Sequence, residues 1–190
     1  MNGMWQLWQQ RYSKDLCQQI VDQAKKIEPQ NAIIGFSGSN VDTNVRRSKV
    51  RWITRDNKEL GWLYEEITNL FHIANHNAFG ADIRFLNELQ FTEYNAEDQG
   101  YYNWHNDVNW DDGRQVHRKL SFVCQLTDPE EYEGGEFEMQ PLYLGAPDAQ
   151  QLKTQGTAII FPSLVMHKVN PVTKGTRHSL VAWIEGPKWR

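Results

Sequence analysis

The spacing of apolar residues changes character once along this chain, near Gly80. Before it, apolar side chains recur every three or four residues, the repeat of a helix with one buried face. After it they alternate or fall in short runs between turn residues, the repeat of strands. A chain written this way must lay a few helices against a β-rich body. Over residues 13–27 the stripe is Leu16, Ile20, Ala24 and Ile27, with Asp15 in the first turn, Lys25 and Lys26 near the end, and Pro29 as the stop. A second helix is predicted over residues 58–79, striped by Leu60, Leu63, Ile67, Leu70 and Ala74. Asp56 and Glu59 stand at capping-box spacing before it and Gly80 closes it. Both helices are expected on one side of a sheet.

Strand texture is predicted over residues 84–94, 118–126, 136–139, 157–161, 165–169 and 177–184. Leu120, Phe122, Cys124 and Leu126 alternate with Ser121, Val123 and Gln125, which gives one buried face, one mixed face and antiparallel pairing. Turn signals at Gly113, Asp128-Pro129, Gly134-Gly135, Gly145-Ala146-Pro147 and Gly175 separate the runs at intervals suited to a sandwich or jelly roll. The fold class expected is α+β, mainly β. The 190 residues hold no linker-like stretch, repeat or low-complexity segment, so one domain is expected, with helical support over 1–80 and the β core over 82–185.

Twenty basic residues against 24 acidic ones, well mixed, argue against a nucleic-acid backbone as the main partner. Apolar runs of only a few residues leave nothing to span a bilayer, and residues 1–10 lack the basic start and apolar core of a signal peptide. A soluble cytoplasmic or otherwise intracellular protein is expected. Cys17 and Cys124 lie far apart without a partner motif, so free thiols are expected rather than a disulfide or a zinc cluster.

His105 and Asp107 stand two apart on extended chain, where side chains two apart share a face. His167 follows an apolar run sixty-two residues later. Two imidazoles and a carboxylate hold Fe(II) on one side and leave positions open. Each element alone has a plainer explanation, a surface turn or hydrogen-bonded pair for His-x-Asp and a satisfied core residue for His167. Ten residues past His167, Arg177 sits in an apolar strand, where a guanidinium needs an anion; Ser179 faces the same way. A structural ion pair is the alternative for Arg177.

Taken together these residues resemble the iron(II)/2-oxoglutarate-dependent dioxygenase superfamily, in particular its prolyl hydroxylase-like branch. The resemblance covers about residues 46–185 and rests on His105-x-Asp107, Glu133-Gly134-Gly135-Glu136, His167, and Pro171-Val172-x-x-Gly175-x-Arg177-x-Ser179 ending at Trp183. It implies a double-stranded β-helix, or jelly roll, with supporting N-terminal helices. It implies Fe(II) on His105, Asp107 and His167, with 2-oxoglutarate and O2 as cosubstrates. Arg177, Tyr94 and Ser179 would hold the distal carboxylate, at the level where Gln125 replaces a tyrosine of some animal relatives. Tyr102, Arg46, Trp52, Trp110 and Trp183 would flank a substrate, and residues 108–117 would cover it as a mobile finger. Arginine at 177, where many collagen-type relatives use lysine, is nearer the branch acting on globular protein targets.

The expected activity is therefore hydroxylation of a prolyl residue in a peptide or protein. Eight tryptophans suit an aromatic groove for proline-rich chain, Trp104 bordering the site as well; Trp62 and Trp183 are expected to fill core. A related oxygenase acting on another side chain or a small molecule is the alternative, since the fold does not set the substrate. A nucleic-acid dealkylase fits less well, because Trp183 stands where that group carries a second arginine. A non-catalytic jelly-roll binding module would not need the three ligands and Arg177 together, and a zinc hydrolase offers Arg177 no role.

Overall fold

The computed structural model describes residues 4–31, 45–108, 110, 113–140 and 145–189. Ser13 starts the first helix, its Oγ accepting the Leu16 N–H at 3.2 Å, and α1 (Lys14–Ala24) buries Cys17, Ile20, Val21 and Ala24. The second helix, α2 (Leu63–Ala74), runs into one π-helical turn (Asn75–Phe79) ended by Gly80 at φ 60°. It begins later than its stripe suggests. Asn57 Oδ1 accepts the N–H groups of Glu59 and Leu60 at 3.1 and 2.9 Å, satisfying those donors in a turn, so the expected Asp56–Glu59 cap does not form. Leu60 is nevertheless buried with the stripe of α2.

The strands among the described residues are β1 (Gln6–Trp8), β2 (Gln30–Asn31), β3 (Arg46–Arg47), β4 (Lys49–Ile53), β5 (Phe85–Asn95), β6 (Tyr101–His105), β7 (Val116–Gln125), β8 (Tyr132–Gly134), β9 (Phe137–Met139), β10 (Ala158–Pro162), β11 (His167–Val169) and β12 (Val172–Pro187). A short helix, α3 (Ala149–Lys153), precedes β10. The larger sheet has the order β1-β10-β7-β12-β5-β4-β2, with β8 pairing on the early part of β12, and the smaller is β3-β6-β11-β9. All pairs are antiparallel. This is a mostly-β jelly roll with supporting helices.

Period-two alternation splits the larger sheet into two working faces. Leu89, Phe91, Leu120, Phe122, Leu180, Ala182 and Ile184 pack with α1 and α2 into the main core. Each leucine, isoleucine or phenylalanine among them contributes about 1.5–3 kcal/mol by leaving water. The opposite face meets the smaller sheet, where Val123, Ile159 and Phe161 pack with Phe137, Val165, Val169 and Val172. The mixed face of residues 119–126 is thus interior, toward the second sheet, rather than toward solvent. Trp62, expected in core, is 44% exposed because it sits in the turn entering α2, its Nε1 donating to Glu59 O.

Cys17 and Cys124 are both buried free thiols. Among the described residues no helix is long and apolar enough to cross a membrane.

Candidate metal and cosubstrate site

Between the sheets lies a cavity of about 380 Å³. The smaller sheet brings its histidines together, since His105 on β6 and His167 on β11 are direct partners in register. Asp107 follows β6, its N–H donating to Ser163 O at 2.9 Å. His105 Nε2 lies 3.8 Å from Asp107 Oδ1, and His167 Nε2 lies 3.6 Å from Asp107 Oδ2. One ligand atom from each of the three falls within 4.8 Å of the others.

Both rings are turned for ligation. His105 Nδ1 donates to Asn103 O at 2.7 Å and His167 Nδ1 to Val165 O at 2.9 Å, which leaves each Nε2 with its lone pair directed at the cluster. Burial and then the neighbouring His167 hold the His105 imidazole down to about 3, so it is neutral. Burial alone would raise Asp107, but His167 and His105, with Arg118 and the Ser121 hydroxyl, carry it down to about 2. Two imidazoles and one carboxylate on one side of a cavity fit a divalent metal with open positions, the arrangement suited to Fe(II).

The fit extends to a dicarboxylate. Arg177 is 2% exposed, its Nη1 has no hydrogen-bond partner, and it forms no ion pair among the described residues. Arg51, Arg114 and Arg118, by contrast, pair with Glu93, Glu185 and Glu88. Arg177 lies opposite Tyr94 in register, 5.6 Å above its ring, and both line the cavity with Ser179. The Gly134-Gly135 turn makes room for it. Gly135 has φ 65°, and a Cβ there would come within 2.9 Å of Val172 Cγ2 and 3.0 Å of Arg177 Cδ.

Arg46, Trp52, Tyr102 and Trp183 also line the cavity. Tyr102 stacks on His105 with ring centroids 3.4 Å apart, and the Arg46 guanidinium lies 4.6 Å above Tyr102. Three expected members do not line it. Gln125 is buried, its Nε2 donating to Thr127 O and Tyr132 OH at 3.0 and 3.1 Å. Trp110 is 50% exposed and stands edge-on to His117, while Trp104 is exposed with Lys168 above its ring. Of the expected covering finger, residues 109, 111 and 112 lie outside the described residues, and Arg114 lines the cavity.

The sequence reading missed Arg118, Glu88 and Ser121. Arg118 pairs with Glu88 at 2.6 Å and lies 3.7 Å above the Trp183 ring. It could have been found as a second cation at the edge of an apolar strand. Ser121 donates to Asp107 Oδ2 at 2.6 Å. Nothing in its local sequence marks it.

In this jelly roll a two-histidine, one-carboxylate cluster and a buried guanidinium share one cavity. Residues 89–185 match the 2OG-Fe(II) oxygenase superfamily, and the chain belongs to it. Over 85 residues it is 38% identical to a PKHD-type hydroxylase of Synechococcus sp. (strain CC9605), a stretch covering 44% of this chain and 36% of that one. A PKHD-type hydroxylase of Pseudomonas putida (strain KT2440) is 39% identical over 72 residues, 37% of this chain and 30% of the other. The chain thus spans about a third of the length of the curated relatives it matches. Its fold is shared with a Pseudomonas putida prolyl-4-hydroxylase (TM-score 0.73, 22% identity, 99% of this chain and 94% of that one). A Trichoplax adhaerens prolyl hydroxylase solved with a hypoxia inducible factor peptide gives a TM-score of 0.75 at 16% identity, covering 95% and 82%.

Proposed function

We propose that this chain is an Fe(II)- and 2-oxoglutarate-dependent dioxygenase that hydroxylates a prolyl residue of a peptide or protein, with residues 1–190 working as one domain. The observation that carries the reading is the sharing of one cavity by the His105, Asp107, His167 cluster and a buried guanidinium that no acid among the described residues neutralises. Held by those three side chains, ferrous iron with 2-oxoglutarate and dioxygen supplies the two-electron oxidation that turns a substrate C–H into C–OH, with succinate and CO2 as co-products.

The chain's own share is positioning and exclusion of water. Arg177 meets the distal carboxylate of 2-oxoglutarate as a planar fork, with Tyr94 and Ser179 adding hydroxyls. Gln125 acts one step removed, through Tyr132, whose phenol burial pushes up against the pull of the neighbouring Arg177 charge. Toward the other end of β12, Trp52 and Trp183 lie 6.4 Å apart and offer aromatic walls to a proline ring. The Trp183 indole N–H is buried without a partner among the described residues and is a donor for a substrate carbonyl. Arg46 holds Tyr102 against His105 and closes the metal side of that space. The relatives named as hydroxylases and the structural neighbour solved with a peptide support a peptidyl substrate.

The test is incubation with Fe(II), 2-oxoglutarate and proline-containing peptides, read by mass spectrometry for a gain of one oxygen and controlled with Asp107→Ala. Oxygen on another side chain would replace proline in this reading. Without peptide oxidation, and without an anaerobic Fe(II)–2-oxoglutarate charge-transfer band that disappears in His167→Ala, the oxygenase reading fails.

A further inference from the structure

We propose that Ser121, backed by Ser163, is a positioning residue for Asp107, a two-hydroxyl relay that presents the carboxylate to the metal as a single-oxygen ligand. The inference rests on Asp107 being a metal ligand. Ser121 lies on the inward face of β7 and Ser163 just after β10, and both are fully buried. A buried hydroxyl is costly unless bonded, so two of them beside one carboxylate call for an account. Ser121 Oγ is 2.6 Å from Asp107 Oδ2 and 2.9 Å from Ser163 Oγ.

The direction of the relay follows from chemistry. An ionised carboxylate only accepts, so Ser121 must give its proton to Asp107 and can then only accept from Ser163. The chain reads Ser163 Oγ–H to Ser121 Oγ–H to Asp107 Oδ2. With Oδ2 engaged, Oδ1, which accepts no hydrogen bond among the described residues, is the oxygen left for a cation. The Asp107 backbone is pinned by the same residue, its N–H donating to Ser163 O, while Ser163 N–H donates to Lys119 O at 3.0 Å. Side chain and main chain of the ligand are thus fixed from one place.

A hydroxyl suits this task better than a cation. Lysine or arginine at 2.6 Å would neutralise the carboxylate and compete with a divalent ion, whereas serine orients it and adds no charge. The nearby guanidinium of Arg118 is already engaged by Glu88 and Trp183.

The test is Co(II) titration of the metal-free chain under nitrogen, followed by calorimetry and by the visible d–d bands, which report ligand geometry. Ser121→Ala is expected to weaken Co(II) by about 10- to 100-fold and alter the bands. Ser121→Thr, which keeps the hydroxyl, is expected to restore both, and Ser163→Ala, which leaves every backbone bond in place, to weaken Co(II) to a smaller extent. The KM for 2-oxoglutarate, set at Arg177, should move far less than the metal affinity. Unchanged Co(II) affinity and spectrum in Ser121→Ala, or no rescue by threonine, overturns the relay. If Ser121→Ala does not fold, Ser163→Ala decides, and parental affinity there overturns it equally. A parent that fails to bind Co(II) sinks the metal-site reading itself, whereas a binding parent with indifferent serine variants sinks only the relay.

Discussion

Arg177 is a cation buried in a cavity with no acid paired to it among the described residues, and an arriving anion offsets its cost. Arg177→Ala is therefore expected to raise the 2-oxoglutarate KM by roughly 10- to 100-fold, the equivalent of about 1.5–3 kcal/mol for a charge-assisted hydrogen bond. Metal affinity, measured separately, is expected to stay near the parental value; a parallel fall in both would show that Arg177 supports the metal cluster instead. The three candidate ligands were legible from the two-residue spacing of His105 and Asp107 and the apolar run before His167, and Arg177 because a guanidinium inside an apolar strand needs an anion; the structure gathers all four around one cavity. Ser121 was not legible. A serine in an alternating strand reads equally well as solvent-facing, and only sheet pairing shows that its face is interior. Gln125 failed to reach the cavity for a related reason, since its amide is spent on Thr127 and Tyr132.

Turns and strand ends do as much here as the ligands. Gly135 has a positive φ and its missing side chain leaves the space that Arg177 occupies, so Gly135→Ala is expected to raise the 2-oxoglutarate KM and lower stability by about 1–3 kcal/mol. A normal KM in a folded Gly135→Ala protein would show that the turn does not govern Arg177. On the helix side, Arg51 Nε donates to Ile27 O just beyond α1, and Arg51 Nη1 lies 3.4 Å from Glu93 Oε2. The His178 imidazole, then Asn95 and Arg51, hold the Glu93 carboxyl down to about 2. Because the folded value lies below the ordinary 4.5, Glu93 stabilises the fold above pH 4.5 and loses that contribution as pH falls toward 2. Glu93→Gln is expected to cost about 3 kcal/mol at neutral pH and to flatten the acid limb of a melting-temperature profile. An unchanged profile would show the cluster to be passive. Long elements such as α1, β5 and β12 were readable from periodicity. The two- and three-residue strands β1, β2, β3 and β8 were not, because so short a segment has no period and is defined by its neighbour.

At the scale of the molecule, anything that binds only the folded chain stabilises it. Mn(II) with 2-oxoglutarate at roughly 100 times their dissociation constants is expected to add about 2.7 kcal/mol. For a chain of this size that corresponds to a rise of about 5–10 °C in melting temperature. Chelation should reverse the shift and Asp107→Ala should lack it; a shift retained in that variant would place the ion elsewhere. The sequence made the order of the long helices and strands readable. It could not show that β12 lies between β5 and β7, or that β6 and β11 pair in the other sheet, because pairing between distant segments leaves no local trace. That central strand carries Arg177, Ser179, Val181 and Trp183 along the cavity wall. Extended chain advances about 3.3 Å per residue, so roughly 20 Å separates the carboxylate grip from the aromatic wall. β12 is therefore a yardstick. Its letters can vary, but inserting or deleting one residue between Arg177 and Trp183 would turn one of them inside out, so altered target preference has to be sought in the loops around the rim.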